Sequence, residues 1–243
     1  MTYRIADLNV QMEVGGRTAR QAEPYLWVTA EPIDIAVRCN PAAFQKKNPH
    51  LFRDDCEYLT SGASFYRQLT GFGGLMLHAS AIEADGLAYL FCGASGIGKS
   101  THTDLWRALY GADRVGIIND DKPALRLVNG VWYAYGTPWS GRDDLQRNVR
   151  VPLAGICFLR QGQRNEIHPL EGAEAVHHIL NHTVRPPEAH LTLCLLESVD
   201  RLLARIPLWS LTCTPTEAAA ELAYRTMTLR GTEGTRPAGK GQA

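Results

Sequence analysis

This 243-residue chain predicts an α/β fold built on a mixed sheet, and three stretches carry the prediction. The first is Gly93-Ala94-Ser95-Gly96-Ile97-Gly98-Lys99-Ser100, which meets every fixed position of the phosphate-loop pattern Gly-x-x-x-x-Gly-Lys-Ser/Thr. It is entered from the apolar run 87–92 and left through Thr101 with helical spacing to Leu109, the strand–loop–helix setting that the motif requires. The second is Glu83-Ala84-Asp85-Gly86, lying between the apolar run 75–82 and the strand that enters the loop. Asp-Gly between two apolar runs signals a tight hairpin, so an antiparallel partner directly precedes the phosphate-loop strand. The third is Asn129-Gly130, which joins runs 125–128 and 131–135 in the same way. Antiparallel pairs on both sides of the loop argue against a purely parallel sheet.

The loop itself implies triphosphate binding. Its glycines let the backbone curl until its N–H groups point at phosphate oxygens, and the following helix N-terminus adds partial positive charge. Lys99 reaches toward the β- and γ-phosphates in such a loop, and the Ser100 hydroxyl toward Mg2+.

Residues 1–70 read as a small β-rich region packed on the core, with strand candidates at Tyr3–Met12, Tyr25–Thr29 and 33–37 and turns at Gly15-Gly16, Pro24 and Pro32. Asp54–Leu69 reads as an amphipathic helix with Cys56, Leu59, Ala63, Tyr66 and Leu69 on one apolar face. The core spans 71–230. After the loop helix come a short strand 114–118 that runs into Asn119-Asp120-Asp121, the Asn-Gly hairpin, the loop Gly136–Gly141 and a buried strand 153–159. Helices are expected at 171–180 and 216–228, and 231–243, rich in Gly, Pro and charge, reads as a disordered tail.

Lysine plus arginine equal aspartate plus glutamate at 25 each, so no global field favours nucleic acid or an anionic membrane. The six cysteines are scattered, without a Cys-x-x-Cys, and suit a reducing compartment. With no apolar signal core and no bilayer-length stretch, the cytoplasm is the expected location.

Asp120-Asp121 at a strand end supplies the acidic element that a phosphate loop needs. Adjacent strand residues project to opposite sides, so one carboxylate is free for Mg2+ and the other for an acceptor hydroxyl. Which does which is open. His78, on the strand expected beside the loop strand, is a candidate proton shuttle, or else a satisfied core histidine. Arg142, Arg147 and Arg150 form a cluster able to stabilise charge on a transferring phosphoryl group. His178 and His182 stand four apart on a helix, but the glutamate and third ligand of a zinc helix are missing.

His78-Ala79-Ser80-Ala81, the 93–100 loop, Asn119-Asp120-Asp121 and Gly136-Thr137-Pro138-Trp139, in that order, resemble the kinase domain of HPr kinase/phosphorylase, which shares its core with phosphoenolpyruvate carboxykinase. The resemblance covers residues 72–165 and implies a phosphate-loop core with a hairpin before the loop. It implies Lys99 and Ser100 as nucleotide and metal contacts, Asp120 and Asp121 as metal ligand and base, His78 as an active-site partner and Arg147 as a phosphate clamp. The family's larger N-terminal domain has no counterpart in 1–70, so the acceptor stays open. The expectation is an ATP- and Mg2+-dependent kinase, acting on a hydroxyl of a protein or peptide serine, as a homo-oligomer if it follows the family. A small-molecule kinase and a nucleotide-gated binding module are the alternatives.

Overall fold

Both glycine-containing hairpins form in the computed structural model of the protein, which describes residues 1–141 and 143–234. The N-terminal region holds β1 (Thr2–Ile5), β2 (Leu8–Gln11), α1 (Gly16–Ala22), β3 (Ile35–Ala36), α2 (Pro41–Lys47) and α3 (Arg53–Leu69). Then follow β4 (Gly74–Met76), β5 (Ala79–Ala84), β6 (Leu87–Cys92), α4 (Lys99–Tyr110), β7 (Val115–Asn119), β8 (Ala124–Val128) and β9 (Val131–Tyr135). The chain continues through β10 (Arg150–Gln161), β11 (Glu166–Pro169), α5 (Gly172–Asn181), α6 (Ala189–Leu203), β12 (Leu208–Cys213) and α7 (Glu217–Gly234).

Asp85-Gly86 turns β5 into β6 and Asn129-Gly130 turns β8 into β9, all four residues with positive φ between 50° and 81°. That is the left-handed pair a two-residue primed turn requires, which only short polar residues and glycine adopt cheaply. Among the described residues the main sheet runs β4-β8-β9-β10-β6-β5-β7, with β12 on the far half of β10 and β11 beside β12. The long β10 joins two regimes. Its start pairs antiparallel with β9, and its remainder pairs parallel with β6 and β12. The sheet is therefore mixed and curled about that strand.

One consequence of this pairing brings three of the sequence motifs together. β5 is antiparallel to both β6 and β7, so β6 and β7 run in the same direction, as does β10. The phosphate loop after β6, the aspartates after β7 and the residue before β5 thus collect at one edge, where strand C-termini open a crevice.

Helices α4 and α7 cover one face through Trp106, Ala220, Ala223 and Met227, and α5 and α6 cover the other through Ile179, Leu195, Val199 and Leu202. The N-terminal sheet of β1–β3 packs with α3 around Tyr25, Phe65, Tyr66 and Trp139.

The N-terminal expectations need correction. The expected strand Tyr3–Met12 is a hairpin that turns at Ala6-Asp7, both with positive φ. Tyr25–Thr29 is not a strand; a 3-10 turn ends at Tyr25 and Leu26 makes only an isolated bridge to Tyr3. Two short helices appear instead. Gly15 leads into α1, and α2 starts at an Asn-Pro cap, with the Asn40 side chain accepting the Ala43 N–H at 2.9 Å. In α3, Cys56, Tyr66 and Leu69 are buried as expected, but Leu59 and Ala63 face solvent while Tyr58, Ser61 and Gly62 point inward. Polar side chains occupy that stripe because they meet polar loops of the site, as described below. Helix α7 runs to Gly234, past the expected end at Thr228, so residues 231–234 are helical; the rest of the expected tail, 235–243, lies outside the described residues.

A pH prediction arises from α4. His102 is buried, packs its ring 4.6 Å from Phe91 and accepts the Trp106 indole N–H at Nε2. Burial pushes its pKa down to about 4. The unfolded chain, titrating near 6.5, therefore binds a proton that the fold rejects, so stability is full above about pH 6.5 and falls as pH drops toward about 4. His102→Gln keeps an acceptor for Trp106 and is expected to flatten that stretch of the stability–pH curve by up to ~3 kcal/mol, read from denaturant melts.

Candidate active site

The phosphate loop uses its glycines as the pattern requires. Gly93, Gly96 and Gly98 all carry positive φ, and at Gly98 the loop passes into α4. A Cβ on Gly93 would lie 2.9 Å from Ile97 and 3.2 Å from the Leu159 carbonyl, so the loop is held close against the end of β10. Lys99 is buried and folds back over the loop, its Nζ donating to the Gly93 and Ala94 carbonyls at 3.3 Å each. Burial lowers its pKa, opposed by the charges of Asp121 and Asp120. Ala94 and Ser95 are exposed on the loop's outer turn, and Thr101 on the first turn of α4.

The two aspartates part company as their alternation demands. Asp120 turns toward the loop, accepting the Ser100 hydroxyl at 2.8 Å and the Ser80 hydroxyl from β5. Ser80 in turn meets Thr103 of α4 at 3.1 Å. Burial raises the Asp120 pKa, and the two serine hydrogen bonds only partly oppose it. Asp121 turns the other way. His78 Nε2 lies 3.3 Å from its Oδ1, while the Tyr58 hydroxyl, at 2.5 Å, and the Lys122 ammonium both meet Oδ2. Although burial opposes it, the hydrogen bond from His78 and the cation of Lys122 hold the Asp121 carboxyl well below the usual carboxylate range. Side by side, one carboxylate is pushed toward its neutral form and the other toward its ionised form.

The surrounding loops explain why this geometry holds. The Asn119 side chain accepts the backbone N–H groups of Asp121 and Lys122 at 3.0 and 2.7 Å and donates to the Thr137 carbonyl at 3.0 Å. Thr137 and Tyr66 both donate to the Lys122 carbonyl. Trp139 stacks on Phe65 at 4.9 Å and bonds Ser61, against a Gly62 where a Cβ would meet its ring at 3.1 Å. The Gly-Thr-Pro-Trp stretch is thus a buttress for the aspartate turn.

His78 is not mid-strand as expected. It sits in the break between β4 and β5, where the chain leaves one half of the curled sheet for the other. Its N–H donates to the His182 carbonyl at 2.8 Å, and the next N–H, of Ala79, to the Asp121 carbonyl at 3.1 Å.

The structure does not bring Arg147 or Arg150 to this edge. Arg147 lies back along β7, with Nε donating to the Ile117 carbonyl at 2.7 Å and Nη2 paired with Glu83 at 2.8 Å, near the opposite end of β5. Arg150 pairs with Asp7, and Arg142 lies outside the described residues. Charge runs after a loop end up on whatever carboxylate they reach first, and here β1–β2 and β5 supply those carboxylates.

Tyr58 and Lys122 were missed by sequence reasoning. Tyr58 lies 63 positions from Asp121 and is one aromatic among several on α3. Its hydroxyl also accepts the Gly141 N–H at 2.9 Å, and its ring lies under Lys122 at 4.7 Å and Arg17 at 4.5 Å. Lys122 had a signal, a lysine directly after the acidic pair. From α1, Gln21 bonds Ser140 and the Gly141 carbonyl, and Tyr25 bonds Gln146 at 2.5 Å, so the N-terminal region braces the 140–146 loop.

A family model matches residues 57–216, the larger part of the chain and the part that holds every residue just described except Asp7, those of α1 and Tyr25. The chain belongs to the ScmC family. Its members carry the description SynChlorMet cassette protein ScmC. Among solved structures, the HPr(Ser) kinase/phosphatase from Coxiella burnetii is similar over 65% of this chain and 99% of that one, at 16% identity and a TM-score of 0.41. No curated protein matches the chain. Among the described residues no helix is long and apolar enough to cross a membrane.

Proposed function

We propose that this ScmC-family chain is an ATP- and Mg2+-dependent kinase that transfers the γ-phosphate to a hydroxyl, with a serine of a protein or peptide as the favoured acceptor. The observation that carries the reading is the split of the aspartate pair, one carboxylate on the phosphate-loop serine and the other on His78. A switch that only senses nucleotide needs the first and has no use for the second.

The donor set fits Mg2+. Ser100 and Asp120 offer a hydroxyl and a carboxylate in contact, hard oxygen ligands of the kind this ion takes alongside waters and phosphate oxygens. When bound there it supplies charge neutralisation for the phosphates and orients them. The loop N–H groups and the start of α4 hold the phosphates, and Lys99 turns from the Gly93 and Ala94 carbonyls toward their oxygens. Asp121 is ionised over the whole neutral range, so one of its oxygens accepts the proton of the acceptor hydroxyl, while His78 and Tyr58 keep the carboxylate aimed. The basicity given up by a low pKa matters little where the transition state is loose and the proton leaves late.

Incubating the protein and a cell extract with γ-labelled ATP tests the proposal. A labelled protein band is expected, and release of free phosphate alone would reduce the chain to an ATPase switch. The cavity of about 400 Å³ beside His78 and the loop favours a second reading, a small-molecule hydroxyl, which would give a labelled metabolite instead.

A separate outcome concerns Asp120. Its raised pKa means that the fold prefers it protonated, so its contribution to stability is greatest below the unfolded value and is lost as pH rises through the folded one. At neutral pH the ionised group opposes folding until a cation sits against it. Asp120→Asn is therefore expected to raise the melting temperature without nucleotide and to remove the extra stabilisation that Mg2+ adds to ATP, both read by thermal melts.

A further inference from the structure

Two histidines at the C-terminal end of α5, His178 within it and His182 at its C-cap, form a wall of the site. The cavity of about 400 Å³ beside the loop is lined by Gly93, Ala94 and Ile97 on one side and by His78, His178 and His182 on the other, with Phe158 between them. His182 is tied to the catalytic edge twice. Its carbonyl receives the His78 N–H at 2.8 Å, which fixes the end of α5 against the residue that holds Asp121. Its ring packs on Phe158 at 5.2 Å and stacks with His178 at 6.4 Å, so its orientation is set by contacts on both sides.

The ring's hydrogen bonding defines what it can offer. Nδ1 lies 2.8 Å from the His178 carbonyl, which can only accept, so Nδ1 carries a proton and Nε2 is the free nitrogen among the described hydrogen bonds. The groups facing this imidazole come from every neighbouring element. His178 stands on α5, itself in contact with Arg160 of β10 and Glu174; His78 precedes β5; and Lys99 begins α4. Burial first, then the nearby charges of His78 and Lys99, lower the His182 pKa against the hydrogen bond to the His178 carbonyl, which raises it, so the neutral ring is favoured while the loop holds no anion. A terminal phosphate on the loop reverses that balance, adding negative charge within the same small cavity.

Of the arginines expected to stabilise a γ-phosphate, the two that are described, Arg147 and Arg150, are elsewhere, paired with Glu83 and Asp7. We infer that His182 takes that place: it contacts the γ-phosphate through Nε2 as an imidazolium, beside His78, and distinguishes a triphosphate from a diphosphate. The inference rests on the phosphate loop binding nucleotide, and not on the identity of the acceptor. One proton is taken up from solvent onto Nε2 as the triphosphate binds, and none as the diphosphate binds.

The test is calorimetric binding of a non-hydrolysable ATP analogue and of ADP, with Mg2+, between about pH 6 and about pH 8. For the wild-type chain the analogue is expected to weaken about tenfold across that range and ADP by less than about twofold. His182→Gln removes the ionisable nitrogen, and His182→Phe removes it while keeping the packing on Phe158. Both are expected to flatten the analogue's pH dependence and to leave ADP affinity in place. An analogue that keeps its wild-type pH dependence in both variants would overturn the role of His182. Failure of the wild-type chain to bind either nucleotide would sink the underlying nucleotide reading as well, which separates the two failures.

Discussion

Lys99→Met is expected to reduce phosphoryl transfer by about three orders of magnitude or more while leaving the fold intact. The ammonium is buried at the base of the loop, with its Nζ equidistant from two loop carbonyls. An anion arriving at the loop N–H groups gives such a desolvated cation a close partner, and charge that grows on the phosphoryl oxygens during transfer is where its contribution is largest. Methionine keeps the stem's apolar contacts and removes only the charge. Because burial lowers the lysine pKa, the ammonium is itself a strained component of the nucleotide-free protein, so the variant's melting temperature is expected to be unchanged or higher. Steady-state transfer from labelled ATP, paired with a thermal melt, checks both halves. A variant that melts early would mean that Lys99 holds the loop together rather than acting on phosphate.

The elements the sequence announced are those whose signals are local. Asp85-Gly86 and Asn129-Gly130 specify their hairpins within four residues, because the positive φ values that close them are cheap only for such residues. The phosphate loop is local too, its three positive-φ glycines lying within six positions. From the β5–β6 hairpin the rest of the edge follows, since reversing direction twice puts the ends of β6 and β7 together. What escaped was settled by distant partners. Tyr58 points inward on α3 because Asp121 and Gly141 receive it there, and Leu59 is left in solvent although its hydrophobicity argued for the reverse. The family resemblance implies Arg147 as a clamp, yet a carboxylate on another strand captures it. His78 lies at a strand break that no local residue marks, because the break arises where two halves of the sheet part at β4 and β5.

Asp121→Asn is the second large expected effect, a loss of about two to four orders of magnitude in transfer with nucleotide affinity held within a few-fold. The substitution removes the negative charge that His78, Tyr58 and Lys122 share while keeping an oxygen for the Tyr58 hydroxyl. Its pH behaviour separates it from Asp120. Because the folded pKa of Asp121 is depressed, its contribution to stability is present above the unfolded carboxylate value and is lost only as pH falls through the folded one. Wild-type transfer should accordingly show no acid limb from this group near neutrality, whereas an Mg2+ site at Asp120, whose pKa is raised, should weaken first as the solution is acidified. Rate–pH profiles of the wild type, together with Mg2+ titrations of Asp120→Asn and Asp121→Asn, read this directly. If Asp120→Asn leaves Mg2+ dependence untouched and Asp121→Asn abolishes it, the two roles are reversed. That outcome would require the Ser100–Asp120 contact to give way when metal binds, which the additional hydrogen bond from Ser80 to Asp120 opposes.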